Sequence, residues 1–211
     1  MKERIIGHAR TVTAEDHAYT RTVRTETIEP GKTQERVVRE RWDPSAPVEQ
    51  RWKLISVNGR EPDAAELTRY RKELPKRRQA HYGRVADYLA KADATRAERD
   101  GRTMFRLTRL PNGTVTAGDA DLSANATGEL LVNNNGGVPF VEEARFTTTK
   151  PTRVKLVARI ERFEITTRYR MMPDGKPVPV ELVSDLRGSM LGREGRVRTH
   201  ITYVDHRTAT K

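Results

Sequence analysis

The sequence contains no cysteine, which excludes disulfides, thiolate catalysis and cysteine-ligated zinc. It does not choose a compartment, because a chain without thiols withstands reducing and oxidising surroundings alike. No run of about 18 apolar residues occurs, so no helix spans a bilayer. The first residues, Met1-Lys2-Glu3-Arg4-Ile5-Ile6-Gly7-His8, lack the apolar core of a secretory signal. Two readings of the compartment stand side by side: a cytosolic protein, or a mature form given a new starting Met. Aromatic residues make up only 6% of the 211 residues and apolar residues 35%, against 33% charged. A disordered chain shares that composition but has no periodicity. A thin sheet with one wet face needs apolar side chains at only half its positions. Acidic residues are also short, 29 against 40 Lys and Arg, giving a net charge of +11 with 30 of the cations Arg. Such a surface attracts nucleic acid, anionic lipid or acidic protein, but a solvated surface in an Arg-rich chain is the more ordinary reading.

What is present is alternation. From Val178 to Met190 every second residue is Val178, Val180, Leu182, Ser184, Leu186, Gly188 and Met190, which is period two with one face buried. Met172-Pro173-Asp174-Gly175 before it reads as a hairpin turn. Gly192 to Gly195 reads as the next turn, after which Val197, Thr199, Ile201 and Tyr203 continue the pattern. Residues 2–10 predict a short helix with Ile5, Ile6 and Ala9 on one side. Residues 18–28, 35–42 and 50–57 predict three strands, joined by Glu29-Pro30-Gly31-Lys32 and by the loop Asp43 to Pro47. Asp63 and Glu66 stand at capping-box spacing, so a helix begins there and runs through Leu67, Tyr70 and Leu74 to Pro75. A second helix is expected over 82–91, and short strands over 103–110 and 128–132, with 118–125 as loop. Val154, Leu156, Ala158 and Ile160 occupy even positions, whereas Phe163, Ile165, Thr167 and Tyr169 occupy odd ones. Read as one long strand, this phase slip predicts a β-bulge at Glu161-Arg162 and hence a bent sheet.

No catalytic constellation assembles from the sequence. His8, His17, His81, His200 and His206 are scattered, and none pairs with another at metal-ligand spacing. His200 and His206 are expected on the same face of one strand, roughly 20 Å apart by strand rise. Glu142 and Glu143 are neighbours on a strand and face opposite sides. There is no nucleophile elbow and no phosphate-binding glycine loop. The expectation is therefore a protein with no catalytic residue, no metal and no cofactor. Arg69, Arg71, Lys72, Lys76, Arg77, Arg78 and Arg84 form a basic cluster, with Tyr70 and Tyr82 as candidate stacking partners for nucleic acid. The same cations could meet anionic lipid headgroups, at about 1 kcal/mol each near a surface. The apolar lining candidates are Trp42, Trp52, Leu54, Phe105, Leu107, Phe146, Phe163, Leu182, Leu186 and Met190. A sheet needs such residues to pack helices whether or not it holds a ligand.

The order of elements, with the Asp174-Gly175 hairpin, the closing Tyr203-Val204-Asp205-His206-Arg207 and the stretch Arg41-Trp42-Asp43-Pro44 followed by Trp52 to Gly59 and Pro62, resembles the LolA/LolB-like superfamily of bacterial envelope proteins. That resemblance implies a single α+β domain over residues 1–211 with a helical insert at about 62–92. Its sheet would be a strongly curved antiparallel half-open barrel with two or three helices on the concave side. It further implies a non-enzymatic periplasmic protein that shelters an acyl chain or a lipidated partner. A basic scaffold that engages nucleic acid or an acidic protein through the Arg-rich insert is the alternative.

Overall fold

The computed structural model describes residues 1–74, 81–134, 137–155 and 158–209. Three helices, α1 (Lys2–Arg10), α2 (Ala64–Glu73) and α3 (Arg84–Lys91), accompany the strands. The first five strands are β1 (His17–Glu29), β2 (Lys32–Trp42), β3 (Trp52–Val57), β4 (Asp93–Arg99) and β5 (Arg102–Thr108). Then come β6 (Thr116–Ala117), β7 (Ala120–Asp121), β8 (Ala126–Asn133), β9 (Phe140–Thr148) and β10 (Thr152–Lys155). The last three are β11 (Ala158–Met171), β12 (Pro177–Met190) and β13 (Arg193–Thr208). All strands but β6 and β7 form one antiparallel sheet in the order β3-β2-β1-β13-β12-β11-β9-β8-β5-β4, with β10 paired to β11. The sheet is curved and does not close, since β3 and β4 stand at its two ends. The fold is therefore α+β, an open half-barrel.

The local chemistry explains most boundaries. α2 begins at the expected capping box: the Asp63 side chain accepts from Glu66 N–H while Glu66 accepts from Asp63 N–H, satisfying two donors that a helix start leaves open. The bulge expected at residues 161–162 is present, because the β11–β12 register shifts between Ile160 and Arg162. Three expectations fail, and one strand was not expected. The alternation from Val154 to Tyr169 is not one strand. It belongs to β10 and β11, which fold back on each other with Lys155 opposite Ala158. The turn expected at Gly192 to Gly195 is the tighter Leu191-Gly192, since both residues adopt positive φ. The 118–125 segment is not wholly loop, because β6 and β7 form a small hairpin with a glycine at positive φ between them. Finally β4, to which the pattern assigns nothing, pairs along its length with β5 and ends in an Asp100-Gly101 turn.

Register decides which residues share a face, because residues directly opposite in an antiparallel pair point the same way. Following the pairs across the sheet, one face carries Trp52 and Leu54, Trp42 and Val38, Tyr19 and Val23, and then Tyr203 and Ile201. It continues through Leu182 and Leu186, Phe163 and Ile165, Phe146, Gly128 and Leu107. The helices lie on this face. α1 and α3 bury Ile5, Ile6, Val85 and Leu89 against Phe105, Leu107, Leu130 and Phe146, and the Tyr82 hydroxyl accepts from Val141 N–H at 2.8 Å. α2 sets Leu67, Tyr70 and Leu74 on Leu54, Val57 and Val38 at the other end. The opposite face is a lattice of charge: Arg24 on Glu35, Arg198 on Glu26, Arg196 on Asp185, Arg168 on Glu181 and Glu143, and Arg145 on Glu164. Exposed pairs of this kind contribute about 0–1 kcal/mol each. They show where much of the arginine excess lies.

Candidate functional site

The helices cover the two ends of the inner face and leave its centre open. Between α2 and the α1–α3 pair run Val23 and Thr25 of β1, Val197, Thr199 and Ile201 of β13, Leu182, Ser184 and Leu186 of β12, and Ile165 and Thr167 of β11. All of these are half-buried, and the register places them side by side. These ten side chains are uncharged, and charged ones stand at their borders, Arg36 opposite Thr25 and Arg193 opposite Met190. The floor is thus a shallow trough of aliphatic groups with interspersed hydroxyls. Along β12 it extends from Leu182 to Met190, about 26 Å at the usual strand rise. Half-buried aliphatic side chains in a row, flanked by helices, are what an elongated apolar ligand needs. Burying each methylene there would yield about 0.8 kcal/mol.

One end of the trough is closed by aromatic rings around a buried ion pair. Tyr19, Trp42 and Tyr203 are buried, with Trp52, Leu182 and Ile201 packed against them. Tyr19 meets Tyr203 edge-on at 5.4 Å, and Trp42 lies 5.2 Å from Trp52 between ring centroids. Within this cluster Arg21 Nη2 stands 2.6 Å from Glu40 Oε1, with side chains 8% and 0% exposed. Arg21 Nε also donates to the same oxygen at 2.7 Å, and its guanidinium lies 4.3 Å above the Trp52 ring. Burial works against the Arg21 charge, but Glu40 beside it more than compensates and holds its pKa above the usual value. Burial drives the Tyr19 hydroxyl strongly upward. This charge pair ties β1 to β2. Beside it, beneath α2, lies a cavity of about 130 Å³ lined by Val23, Val38, Glu40, Arg69 and Tyr70 among others. That is smaller than the ~300 Å³ of an ordinary small-molecule site.

The ten lining candidates all fall on the inner face, but in three environments. Phe105, Leu107, Phe146 and Phe163 are buried where α1 and α3 cover the sheet. Trp42, Leu54 and the half-buried Trp52 hold the aromatic end and the α2 contact. Leu182 and Leu186 lie in the open trough, and Met190, 62% exposed, stands at its far end. The feature that pattern reasoning missed is the hydroxyl and valine set on β1 and β13. Its signal was present as the Val197, Thr199, Ile201 alternation.

The basic cluster divides. Arg69, Arg71 and Lys72 are exposed on α2, whereas Arg84 is half-buried on α3, donating to Gly113 O at 3.0 Å. Lys76, Arg77 and Arg78 lie outside the described residues. Tyr70 and Tyr82, the candidate stacking partners, are 7% and 0% exposed and so present no ring to a base. The histidines differ from expectation too. His200 is on the outer face, 2.8 Å from Glu181, while His206 lies 5.9 Å from the inner-face ring of Tyr19. The cause is Asp205, whose positive φ breaks the alternation between them.

An open, helix-filled antiparallel half-barrel with an apolar trough is the class these features define. No protein-family model matches the sequence, and no curated protein matches it. Three solved structures follow a similar course. They are a LolA superfamily protein from Nitrosomonas europaea, a DUF1329 family protein from Desulfovibrio piger, and a domain from Vibrio parahaemolyticus ascribed to outer membrane lipoprotein sorting. Identities are 12%, 10% and 12%, with TM-scores of 0.37, 0.37 and 0.39. The overlaps cover 100%, 98% and 100% of this chain and 93%, 91% and 94% of the others. Likeness at these identities and TM-scores carries nothing about role or ligand.

Proposed function

We propose that this protein is a non-enzymatic binding protein of the bacterial envelope, acting as one LolA-like domain over residues 1–211. It holds an acyl chain, free or carried by a lipidated partner, on the open centre of the inner face. One observation carries this reading: an uncharged, half-buried row of aliphatic side chains lies uncovered between two helix-covered ends. A sheet that needed this face only for packing would cover it. Leu182 and Leu186 form the floor, and Met190 marks the mouth. Phe105, Leu107, Phe146 and Phe163 reach a ligand only after α1 and α3 move aside, while Leu54 lies under α2 and Trp42 and Trp52 form the aromatic end. The envelope compartment follows from the resemblance of the closing meander to envelope proteins.

The test is solvent extraction of the purified protein followed by mass spectrometry, with Leu182→Asp as the variant. Leu182 is half-buried, so a charge there is tolerated better than at the buried Phe163. Wild type is expected to yield lipid or fatty acid, and Leu182→Asp to retain at least tenfold less, since an unpaired carboxylate in the trough repels an acyl chain. Equal retention in a folded Leu182→Asp protein overturns the reading. A second reading, a basic scaffold for nucleic acid or an acidic protein, rests on the exposed Arg69, Arg71 and Lys72 of α2. It predicts lipid-free protein that binds heparin and is released by moderate salt.

A further inference from the structure

The turn between β12 and β13 is built from the wrong residue for its shape. Leu191 and Gly192 both have positive φ, 52° and 77°, the form of two-residue turn in which asparagine and glycine fit without strain. Leucine there places its Cβ against its own backbone. The same side chain is 73% exposed and that of Met190 beside it 62%. Among the described residues they are the one adjacent pair of large exposed apolar side chains, the others standing singly. Backbone strain and exposed apolar surface thus coincide at one hairpin tip, and outliers of that kind cluster at functional positions.

The surroundings say what would cover the tip. Arg193 lies across from Met190, and Arg159 from Ser189. Arg153 lies beyond Arg159, and Arg187 one step back along β12. All four are exposed. The nearby carboxylates are three: Glu161, which pairs with Arg159 at 3.0 Å, Asp185, 3.9 Å from Arg187, and Glu194 opposite Ser189. An apolar pair ringed by an excess of long cationic side chains matches a surface that is oily inside and negative outside.

We infer that this tip docks the protein on an anionic lipid bilayer. Leu191 and Met190 enter the boundary between headgroups and acyl chains, and the arginines lie along the phosphates, their stems following the apolar pair inward. Met190 is also the last residue of the inner-face row that contains Leu182 and Leu186, so docking brings the open end of the trough to the bilayer. The inference goes beyond the trough and does not require it to hold a ligand.

The experiment is sedimentation of the full chain with vesicles of phosphatidylcholine plus phosphatidylglycerol, and with phosphatidylcholine alone, using wild type and Leu191→Asn. Wild type is expected to pellet with the anionic vesicles and far less with the neutral ones. Leu191→Asn is expected to bind about tenfold more weakly, the order of one leucine lost from an apolar phase. Its melting temperature should hold or rise, because asparagine accepts the turn's backbone. Unchanged vesicle binding by Leu191→Asn overturns the inference, including the case where all binding vanishes at high salt. So does a fall in melting temperature, which would show that the leucine serves the fold. Because Leu191 lies outside the trough, Leu191→Asn leaves lipid retention in solution unchanged, and the two readings fail separately.

Discussion

Gly188 sits opposite Ile160 where Glu161 bulges out of β11, and a Cβ there would meet Arg159 O at 2.4 Å. The backbones approach this closely because the bulge bends one strand over the other. Gly188→Ala is therefore expected to destabilise by about 1–3 kcal/mol, as forced overpacking does, seen as a lower urea midpoint. Gly195→Ala, whose Cβ would make an ordinary contact at 3.5 Å with Ile28 O, is the control and should change little. The Arg21–Glu40 pair makes a second prediction at this scale. Glu40→Gln leaves a buried guanidinium without its counter-charge, a loss of about 3–5 kcal/mol. Replacing both, Arg21→Met with Glu40→Leu, should cost less than the sum of the single changes. A double-mutant cycle of denaturation midpoints measures that coupling.

α2 holds its place through a cap and three apolar side chains, Leu67, Tyr70 and Leu74. Asp63→Ala removes the acceptor for Glu66 N–H and should cost the helix about 1 kcal/mol. Amide exchange should therefore quicken within α2 and stay constant in α3. This cap is legible in the sequence because its partners are three residues apart, and the Ile160/Phe163 phase change reveals the bulge for the same reason. β4 is not legible. Asp93–Arg99 holds helix-favouring Ala, Arg and Glu, and a strand at the end of a sheet needs little alternation. The β10–β11 hairpin is hidden because alternation runs unbroken from Val154 through Leu156 to Ala158, so no turn residue marks it. Parity alone identifies which side chains share a face, and it selected all ten lining candidates on one side. It cannot reveal which of them the helices cover. That depends on the pairing of His17 with Thr208 and of Ile28 with Arg196, contacts between opposite ends of the chain that leave no local trace.

At the scale of the molecule, four of the five histidines gather where α1, the approach to α3 and the β11–β12 hairpin meet. His8 Nε2 donates to Gly175 O at 2.8 Å, and His17 Nε2 lies 2.8 Å from Asp174 Oδ2. His17, His81 and His206 line a void of about 20 Å³ with Tyr19, Tyr82 and Pro177, room for roughly one water. Lys176 pairs with Asp16 at 2.7 Å, and Asp16 O accepts from Ala209 N–H at 2.8 Å, tying both ends of the chain to the joint. Burial lowers the pKa of His81, Arg84 adding to the effect and Asp87 opposing it. Burial likewise lowers that of His206, with Arg170 and His17 adding while the Pro179 backbone and Asp205 oppose. Both rings are thus favoured neutral in the fold, and the unfolded chain takes up protons first as pH falls below the ordinary 6.5. Asp174 behaves differently. Burial opposes its charge, but donors from the Lys176 backbone, His17 and Thr208 outweigh it and hold its pKa below 3.8. Its contribution is present above that value and is lost as pH falls through the lower folded one. The melting temperature should therefore be level above neutrality, decline from about pH 6.5 downward through the histidines, and decline again below about pH 4 as Asp174 is protonated. Calorimetric scans from pH 8 to 3 check both steps. A protein carrying His81→Asn and His206→Gln should lose much of the first step and keep the second. If it keeps both, the joint between helices and sheet is not where acid first acts.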